Sequence, residues 1–232
     1  DLGDTGPWKG SNTYTEVGLP FNSIYGYESM GLFQSDEEVA NAPFQNSNTA
    51  AGDIRYKNQN GDDKIDANDR VVIGDPNPHF LYGVNLGFDY KNFDLNMFFQ
   101  GIGQKDRVIM DNFVRPFYDS SIFEHHLDYW TPENTGAKYP RILNKDDGTH
   151  NYQQSDYWMI NAGYFRMKNL QIGYTIPREI LRPAGFDRVR VYFSANNLFT
   201  VSDFVPGMDP ESEKSVSYPF ARTYSFGLNV QF

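Results

Sequence analysis

The sequence predicts an all-β chain: an antiparallel sheet of about five strands that forms one segment of a transmembrane β-barrel with long extracellular loops. Three observations predict it. Apolar residues recur with period two in several runs. Aromatic residues stand at both ends of the apolar faces. The connections between runs alternate short and long.

The first segment, residues 1–81, reads as an extracellular loop region. Gly3 to Pro20 is rich in Gly, Thr, Asn and Pro and reads as irregular structure. Ser35-Asp36-Glu37-Glu38 before Val39-Ala40 predicts a short capped helix. The second segment, 82–232, carries the strands. Tyr82, Val84, Leu86, Phe88 and Tyr90 alternate with Gly83, Asn85, Gly87 and Asp89. Side chains on a strand point alternately to opposite faces, so one face of this run is wholly apolar. Lys91-Asn92 has the length of a tight hairpin turn. Phe93, Leu95, Met97 and Phe99 then resume the pattern around Asp94, Asn96 and Gln100.

The next connection, about 102–163, is long. Within it Ile122 to Trp130 reads as a helix stopped by Thr131-Pro132, and 134–156 reads as a loop. Tyr164 to Ile176 is a strand with a phase change. Leu170, Ile172, Tyr174 and Ile176 hold one phase and Phe165 and Met167 the other, so a bulge is expected near Lys168-Asn169. After a shorter connection at 177–187, Val189, Val191, Phe193 and Ala195 alternate with Arg190, Tyr192, Ser194 and Asn196. A longer one, about 200–221, leads to Tyr224, Phe226, Leu228, Val230 and Phe232, which alternate with small or polar residues to the last position.

Outer-membrane barrels have short periplasmic turns and long extracellular loops. All the connections obey that rule with Phe232 on the periplasmic side. Five strands cannot close such a barrel, whose smallest members have about eight, and an open edge in lipid leaves unpaired backbone groups. The chain is therefore expected to pair with strands outside this sequence.

Composition narrows the function. The chain has 232 residues, with 20 Lys and Arg against 30 Asp and Glu, which argues against nucleic acid as a partner. Zero Cys excludes a disulfide scaffold, thiolate metal sites and a Cys nucleophile. A mean hydropathy of −0.61 excludes a helical membrane protein but not a barrel, whose strands hide half their apolar signal. Nucleophile elbow, phosphate loop and dinucleotide fingerprint are all missing, so no enzyme activity is expected.

One motif points to a metal. Asn58, Asn60, Asp62, Lys64, Asp66 and Asp69 occupy positions 1, 3, 5, 7, 9 and 12 of a calcium-loop spacing, with Lys64 offering its backbone carbonyl and Ile65 apolar at position 8. Calcium takes six to eight hard oxygens, and this spacing wraps them around one ion. Asn58 stands where Asp is usual and Asp63 where Gly makes the turn, so low-affinity Ca²⁺ is the expected cofactor. The competing reading is an Asn/Asp-rich turn held by its own side-chain to backbone bonds. Glu124, His125, His126 and Asp128 resemble ligands by type, but adjacent His side chains are expected to point apart, which leaves no shared metal. Trp8, Tyr14, Tyr118, Tyr152 and Trp158 are candidates to stack on sugars or a partner, with packing of the loops on one another the safer assignment.

Several stretches together resemble a known family. They are Tyr25-Gly26-Tyr27 with Gly31-Leu32-Phe33, Gly52-Asp53-Ile54-Arg55-Tyr56-Lys57 running into the Asn/Asp loop, and Asp69-Arg70-Val71-Val72-Ile73-Gly74-Asp75-Pro76-Asn77-Pro78. Phe98-Phe99-Gln100-Gly101, Trp130-Thr131-Pro132-Glu133-Asn134, Tyr139-Pro140-Arg141 and Arg166-Met167-Lys168-Asn169-Leu170 belong with them. So do Asn196-Asn197-Leu198-Phe199-Thr200, Tyr218-Pro219 and Ala221-Arg222-Thr223-Tyr224. From about residue 17 onward the chain resembles the C-terminal portion of SusC/RagA-type TonB-dependent outer-membrane transporters of Bacteroidetes.

The resemblance implies a 22-stranded barrel filled by an N-terminal plug, a SusD-like lipoprotein over the extracellular mouth, and energy delivered by TonB through the plug. It implies oligosaccharide cargo, or peptide in some members. The terminal Phe232 matches the aromatic signal read by the barrel-insertion machinery. The polar positions Asn85, Asp89, Asp94, Asn96, Asn169, Gln171, Asn229 and Gln231 are then expected on the lumen face. The alternative is a soluble or secreted β-sheet binding module with a dockerin-like calcium loop.

Overall fold

A computed structural model describes residues 6–110, 113–117, 122–143, 150–205, 207–212 and 220–232. Tyr118, Tyr218 and Pro219 lie outside them. In chain order the strands are β1 Trp8–Lys9, β2 Thr13–Thr15, β3 Ser23–Tyr27, β4 Ser29–Leu32, β5 Ile54–Tyr56, β6 Arg70–Gly74, β7 Leu81–Tyr90, β8 Phe93–Ile102, β9 Asp106–Val108, β10 Met159–Asn161, β11 Tyr164–Thr175, β12 Arg188–Val201 and β13 Thr223–Gln231. Helix α1 is Asp36–Ala40 and α2 is Arg178–Leu181. No helix among the described residues is long and apolar enough to cross a membrane, which says nothing of crossing by strands.

The chain forms two compact units: residues 1–77 with 106–160, and residues 78–105 with 161–232. In the first, β1-β2-β3-β6 form one sheet and β4-β5 a second. Every residue of β3 is buried, and Phe33, Ile54, Tyr56, Trp130 and Trp158 join Ile24, Tyr25 and Tyr27 in the core. Ser35 caps α1 as expected, its side chain accepting from the Glu38 amide at 3.2 Å, with Asp36, Glu37 and Glu38 in the favourable first turn. Two expectations change here. The segment read as irregular up to Pro20 contains β1 and β2, which pair Trp8 with Thr15 and Lys9 with Tyr14. The helix expected over 122–130 shrinks to a 3₁₀ turn, Glu124–Leu127, because its side chains are held by a neighbouring carbonyl, described below, rather than by a helical stripe.

The second unit is one antiparallel sheet in the order β13-β12-β11-β8-β7. Its five strands are the five read from period two. The hairpin turns at Lys91-Asn92, with Tyr90 opposite Phe93 and Lys91 at φ 54°. The bulge in β11 lies where it was expected: Met167 pairs with Phe99, Asn169 with Phe98, and Lys168 drops out of the ladder. It reconciles the two phases of that strand. Across it, Phe165 and Met167 fall on the same face as Leu170, Ile172 and Tyr174.

Candidate functional site

Registers place every alternating apolar residue of the second unit on one face: Tyr82 to Tyr90 on β7, Phe93 to Phe99 on β8, Phe165 to Tyr174 on β11, Val189 to Ala195 on β12 and Tyr224 to Val230 on β13. That face is bare. Phe226 is 85% exposed, Phe88 63% and Leu228 63%. Water does not tolerate a contiguous apolar surface of this kind, which marks an interaction or membrane surface. Strands β7 and β8 have 10 residues each, β11 12, β12 14 and β13 9. A tilted strand of about 9–11 residues crosses the hydrocarbon core of a bilayer.

Rings gather toward both ends of this face. Phe93 meets Tyr174 at 4.7 Å at the hairpin end, and Phe99 and Tyr82 meet Phe165 at 5.4 and 6.3 Å at the other. Strand β7 pairs only with β8, and β13 only with β12, among the described residues. Two edges of unpaired amides and carbonyls therefore bound the sheet. In a bilayer each such group costs several kcal/mol.

The opposite face is polar. Asn169 Nδ2 donates to Asn196 Oδ1 at 2.9 Å, and Asn196 Nδ2 to Thr223 Oγ1 at 3.1 Å, linking three strands. Nearer the hairpin turn, Arg190 reaches across β11 to Asp94 on β8, its Nε donating to Oδ1 at 2.9 Å and its Nη2 to Oδ2. The pair passes over Gly173, where a Cβ would collide with both groups. The expected lumen-face positions share this face, and Arg188 and Arg190 join them. Their phase with Tyr192 and Ser194 was the signal that finds them.

At the far end of the same face Arg166, 2% exposed, anchors the loop after β12. Its Nε donates to Thr200 Oγ1 at 2.7 Å and its Nη2 to Asp209 Oδ1 at 2.8 Å, while Nη1 lies 3.3 Å from Glu211. The bulge turns Lys168 onto Glu211 as well, at 2.6 Å. Burial pushes the Asp209 carboxyl up, but hydrogen bonds from Arg166 and from the Glu211 and Phe220 amides outweigh it and hold the group below the usual carboxylate range.

In the first unit the 58–69 loop closes on itself. Asn58 Oδ1 accepts from the Gly61 amide at 2.6 Å, Asn60 Oδ1 from Asp62 at 2.9 Å and Asp62 Oδ1 from Lys64 at 2.9 Å. Asp66 and Asp69 form a reciprocal cap: Asp66 Oδ1 accepts from the Asn68 amide at 2.8 Å and Asp69 Oδ2 from the Asp66 amide at 2.7 Å. Asp69 is fully buried and also receives the Gln59 amide at 2.8 Å. Three donors lean into this oxygen-rich turn. Asn58 Nδ2 reaches the Asp62 carbonyl, Asn60 Nδ2 donates to Asp62 Oδ2 at 2.8 Å, and Lys64 Nζ sits 2.7 Å from Asp66. Hydrogen bonding to each other raises the Lys64 pKa and lowers that of Asp66. Among the described residues no three His, Cys, Asp or Glu side chains are placed to share one ion.

The motif Gly52-Asp53-Ile54 turns out to be a structural hub. Asp53 accepts from Arg141 Nε at 2.7 Å and Asn151 Nδ2 at 2.7 Å, and Asn151 Oδ1 takes the Ile54 amide at 2.8 Å. Nothing in the local sequence signals these partners, which lie 88 and 98 positions away. His125 and His126 do not point apart. Both Nε2 atoms reach the Phe113 carbonyl, at 2.7 and 2.8 Å, because the tight 3₁₀ turn bends them to one side. His126 Nδ1 accepts the Phe123 amide at 3.1 Å, which assigns its proton to Nε2. Burial pushes its pKa down to about 4, helped by His125 and opposed by the Phe113 carbonyl. Of the aromatics considered for stacking, Tyr152 and Trp158 are core residues, 7% and 5% exposed, while Trp8 is 65% exposed.

No protein-family model matches the chain. TonB-dependent receptor P3 of Formosa agariphila is 31% identical over 233 residues, covering 93% of this chain and 22% of that protein. TonB-dependent receptor SusC of Bacteroides thetaiotaomicron is 27% identical over 242 residues, covering 97% of this chain and 21% of that protein. Among solved structures the RagAB peptide importer in its open-open state shares the fold with a TM-score of 0.76 at 23% identity, covering 100% of this chain and 25% of the matched one. These relatives are receptors and transporters by description, none an enzyme. The chain spans about a quarter or less of their length. The chain is a homologue of TonB-dependent receptors, SusC among them, matched over nearly all of its own length, and it shares its fold with the RagAB importer.

Proposed function

We propose that this chain is the C-terminal wall segment of a TonB-dependent outer-membrane importer that takes up oligosaccharides or peptides with a SusD-like surface lipoprotein. The observation that carries the reading is the five-stranded sheet with a largely exposed apolar face and, among the described residues, two unpaired edges. A bilayer covers that face, and strands of the rest of a 22-stranded barrel pair with those edges. In this reading the connections after β8 and β12 are extracellular, the turn at Lys91-Asn92 and Phe232 are periplasmic, and TonB acts through a plug outside this sequence. The work is conformational and needs no catalytic constellation. Mass-spectrometric identification of what co-purifies from detergent-extracted outer membranes tests it. A plug-bearing barrel polypeptide and a surface lipoprotein in one particle are expected. The 26.7 kDa chain alone in the aqueous fraction contradicts the reading.

The same reading assigns weak Ca²⁺ binding to Asn58, Asn60, Asp62, Lys64, Asp66 and Asp69. The ion would take oxygens already aligned by the turn, and must displace three N–H donors to do so, which keeps affinity low. Calcium is expected to slow tryptic cleavage at Lys64 in the parent but not after Asp62→Asn with Asp66→Asn, both remaining folded. Equal calcium dependence in the two proteins removes the ion from the account.

A further inference from the structure

At the end of the polar face away from the hairpin turn, the second unit holds a cavity of about 400 Å³ formed by β11, β12 and the segments that follow β12 and precede β13. Its charged lining residues are Arg166, Asp209 and Arg222, two guanidiniums against one carboxylate. Arg166 and Asp209 satisfy each other, and the Asp209 carboxylate also accepts from the Glu211 amide at 3.0 Å and the Phe220 amide at 3.3 Å. Arg222 is exposed and has no ion pair or hydrogen bond among the described residues. The hydroxyls of the lining add donors. Thr200 Oγ1 accepts from Arg166 Nε at 2.7 Å and Ser202 Oγ from the Phe204 amide at 2.9 Å, so each oxygen is engaged while its proton is not, among the described residues. Asn197, at φ 52° where β12 leaves its ladder with β11, donates from Nδ2 to the Ala221 carbonyl at 3.2 Å and keeps Oδ1 as an acceptor. The ring of Phe220, 54% exposed, forms part of the wall.

We propose that this cavity binds an acidic sugar residue, its carboxylate against Arg222 and its ring hydroxyls on Thr200, Ser202 and Asn197. The proposal rests on the importer reading above and narrows the cargo to a uronate-bearing oligosaccharide. Charge and the inventory of free donors and acceptors select the ligand. A wholly neutral sugar leaves the surplus guanidinium unpaired where the ligand displaces its water. A phosphate monoester brings about −1.5 to −2 charges against a surplus of one. A carboxylate brings one, and a guanidinium can meet it through two parallel hydrogen bonds. The two unengaged hydroxyl protons need acceptors, and Asn197 Oδ1 needs a donor. A ring hydroxyl is both. A peptide N–H only donates, so an acidic peptide matches fewer of these groups. The exposed Phe220 ring offers an apolar surface to the C–H face of a sugar, and few polar groups set in an apolar wall are the usual make-up of a small-ligand site.

The test is protection of Arg222 from phenylglyoxal, a guanidinium reagent, in the intact outer-membrane complex that contains this chain, read by mass spectrometry of the labelled peptide. The probes are glucuronate and galacturonate, set against glucose, galactose, acetate and N-acetylglutamate at equal concentration and ionic strength. At least one uronate, in excess, is expected to slow labelling of Arg222 roughly fivefold, since protection grows with the ratio of free ligand to Kd. The neutral sugars and acetate are expected to leave it near the unprotected rate. Ser202→Ala is expected to weaken the uronate protection without changing the labelling rate in its absence. Absence of uronate protection, or equal protection by the matched neutral sugar, overturns the proposal. Equal protection by acetate reduces the cavity to a bare anion site, and equal or stronger protection by N-acetylglutamate assigns it to acidic peptide; either result also overturns it. A failed importer reading looks different, because the chain then partitions alone into the aqueous fraction whatever protects Arg222.

Discussion

Arg190 and Asp94 meet across an intervening strand, with Gly173 directly beneath them. Their side chains are 18% and 20% exposed, so solvent screens the pair and its own contribution is small, about 1 kcal/mol or less. The glycine beneath is more sensitive. A Cβ there collides with both charged groups, and overpacking of this kind costs about 1–3 kcal/mol. Gly173→Val is therefore expected to lower the thermal unfolding midpoint of the extracted complex more than Arg190→Ala does. The reverse order would show that the ion pair, not the close approach, dominates.

The buried anchor gives the opposite ranking of charge and packing. Asp209→Ala leaves Arg166, 2% exposed, with Glu211 as its remaining counter-charge among the described residues. Breaking a buried pair from one side costs about 3 kcal/mol or more. The loop after β12 should then be cut by protease much faster while the strands stay protected. Asp209→Asn keeps an acceptor and should be milder. Because the folded-state pKa of Asp209 is depressed, its contribution is present at neutral pH and is lost as pH falls through and below the ordinary carboxylate range.

The sheet was legible because period two is written residue by residue. The five alternating runs, the turn at Lys91-Asn92 and the bulge at Lys168 all follow from which neighbours are apolar. What escaped was set by distant partners. Asp53 looks like a loop carboxylate until Arg141 and Asn151 arrive from far along the chain. Arg166 looks like one more polar strand residue until Asp209 covers it. The paired histidines were misread for a related reason. Opposite orientation holds in regular helix or strand, and a 3₁₀ turn beside the Phe113 carbonyl is neither.

His126 should act as an acid-sensitive point in the first unit. Its Nδ1 accepts an amide proton from Phe123, so protonation there breaks that bond and buries a charge. The folded-state pKa of about 4 lies below the usual 6.5, so unfolding takes up a proton between these values. The stabilisation is full above about pH 6.5 and falls progressively to about pH 4, where up to about 3 kcal/mol is lost. Hydrogen exchange of the described residues 113–117 and 122–127, corrected for intrinsic rates, should accelerate below about pH 6. Unchanged protection down to pH 4.5 would place the proton elsewhere.

The two faces of β13 provide the sharpest contrast. Phe226 and Ser225 are neighbours in sequence and lie on opposite faces, the first on the apolar side and 85% exposed. If water covered both faces, Phe226→Arg would be harmless or favourable, since it removes an exposed aromatic ring. In lipid the same change places a cation in hydrocarbon at about 2–4 kcal/mol near the midplane, whereas a lumen-side change is tolerated. Phe226→Arg is thus expected to reduce the amount of heat-modifiable, membrane-inserted complex several-fold, and Ser225→Arg to leave it near the parent level. Equal effects of the two substitutions would mean that the alternation in β13 does not separate lipid from lumen. The apolar face would then have to be covered by protein.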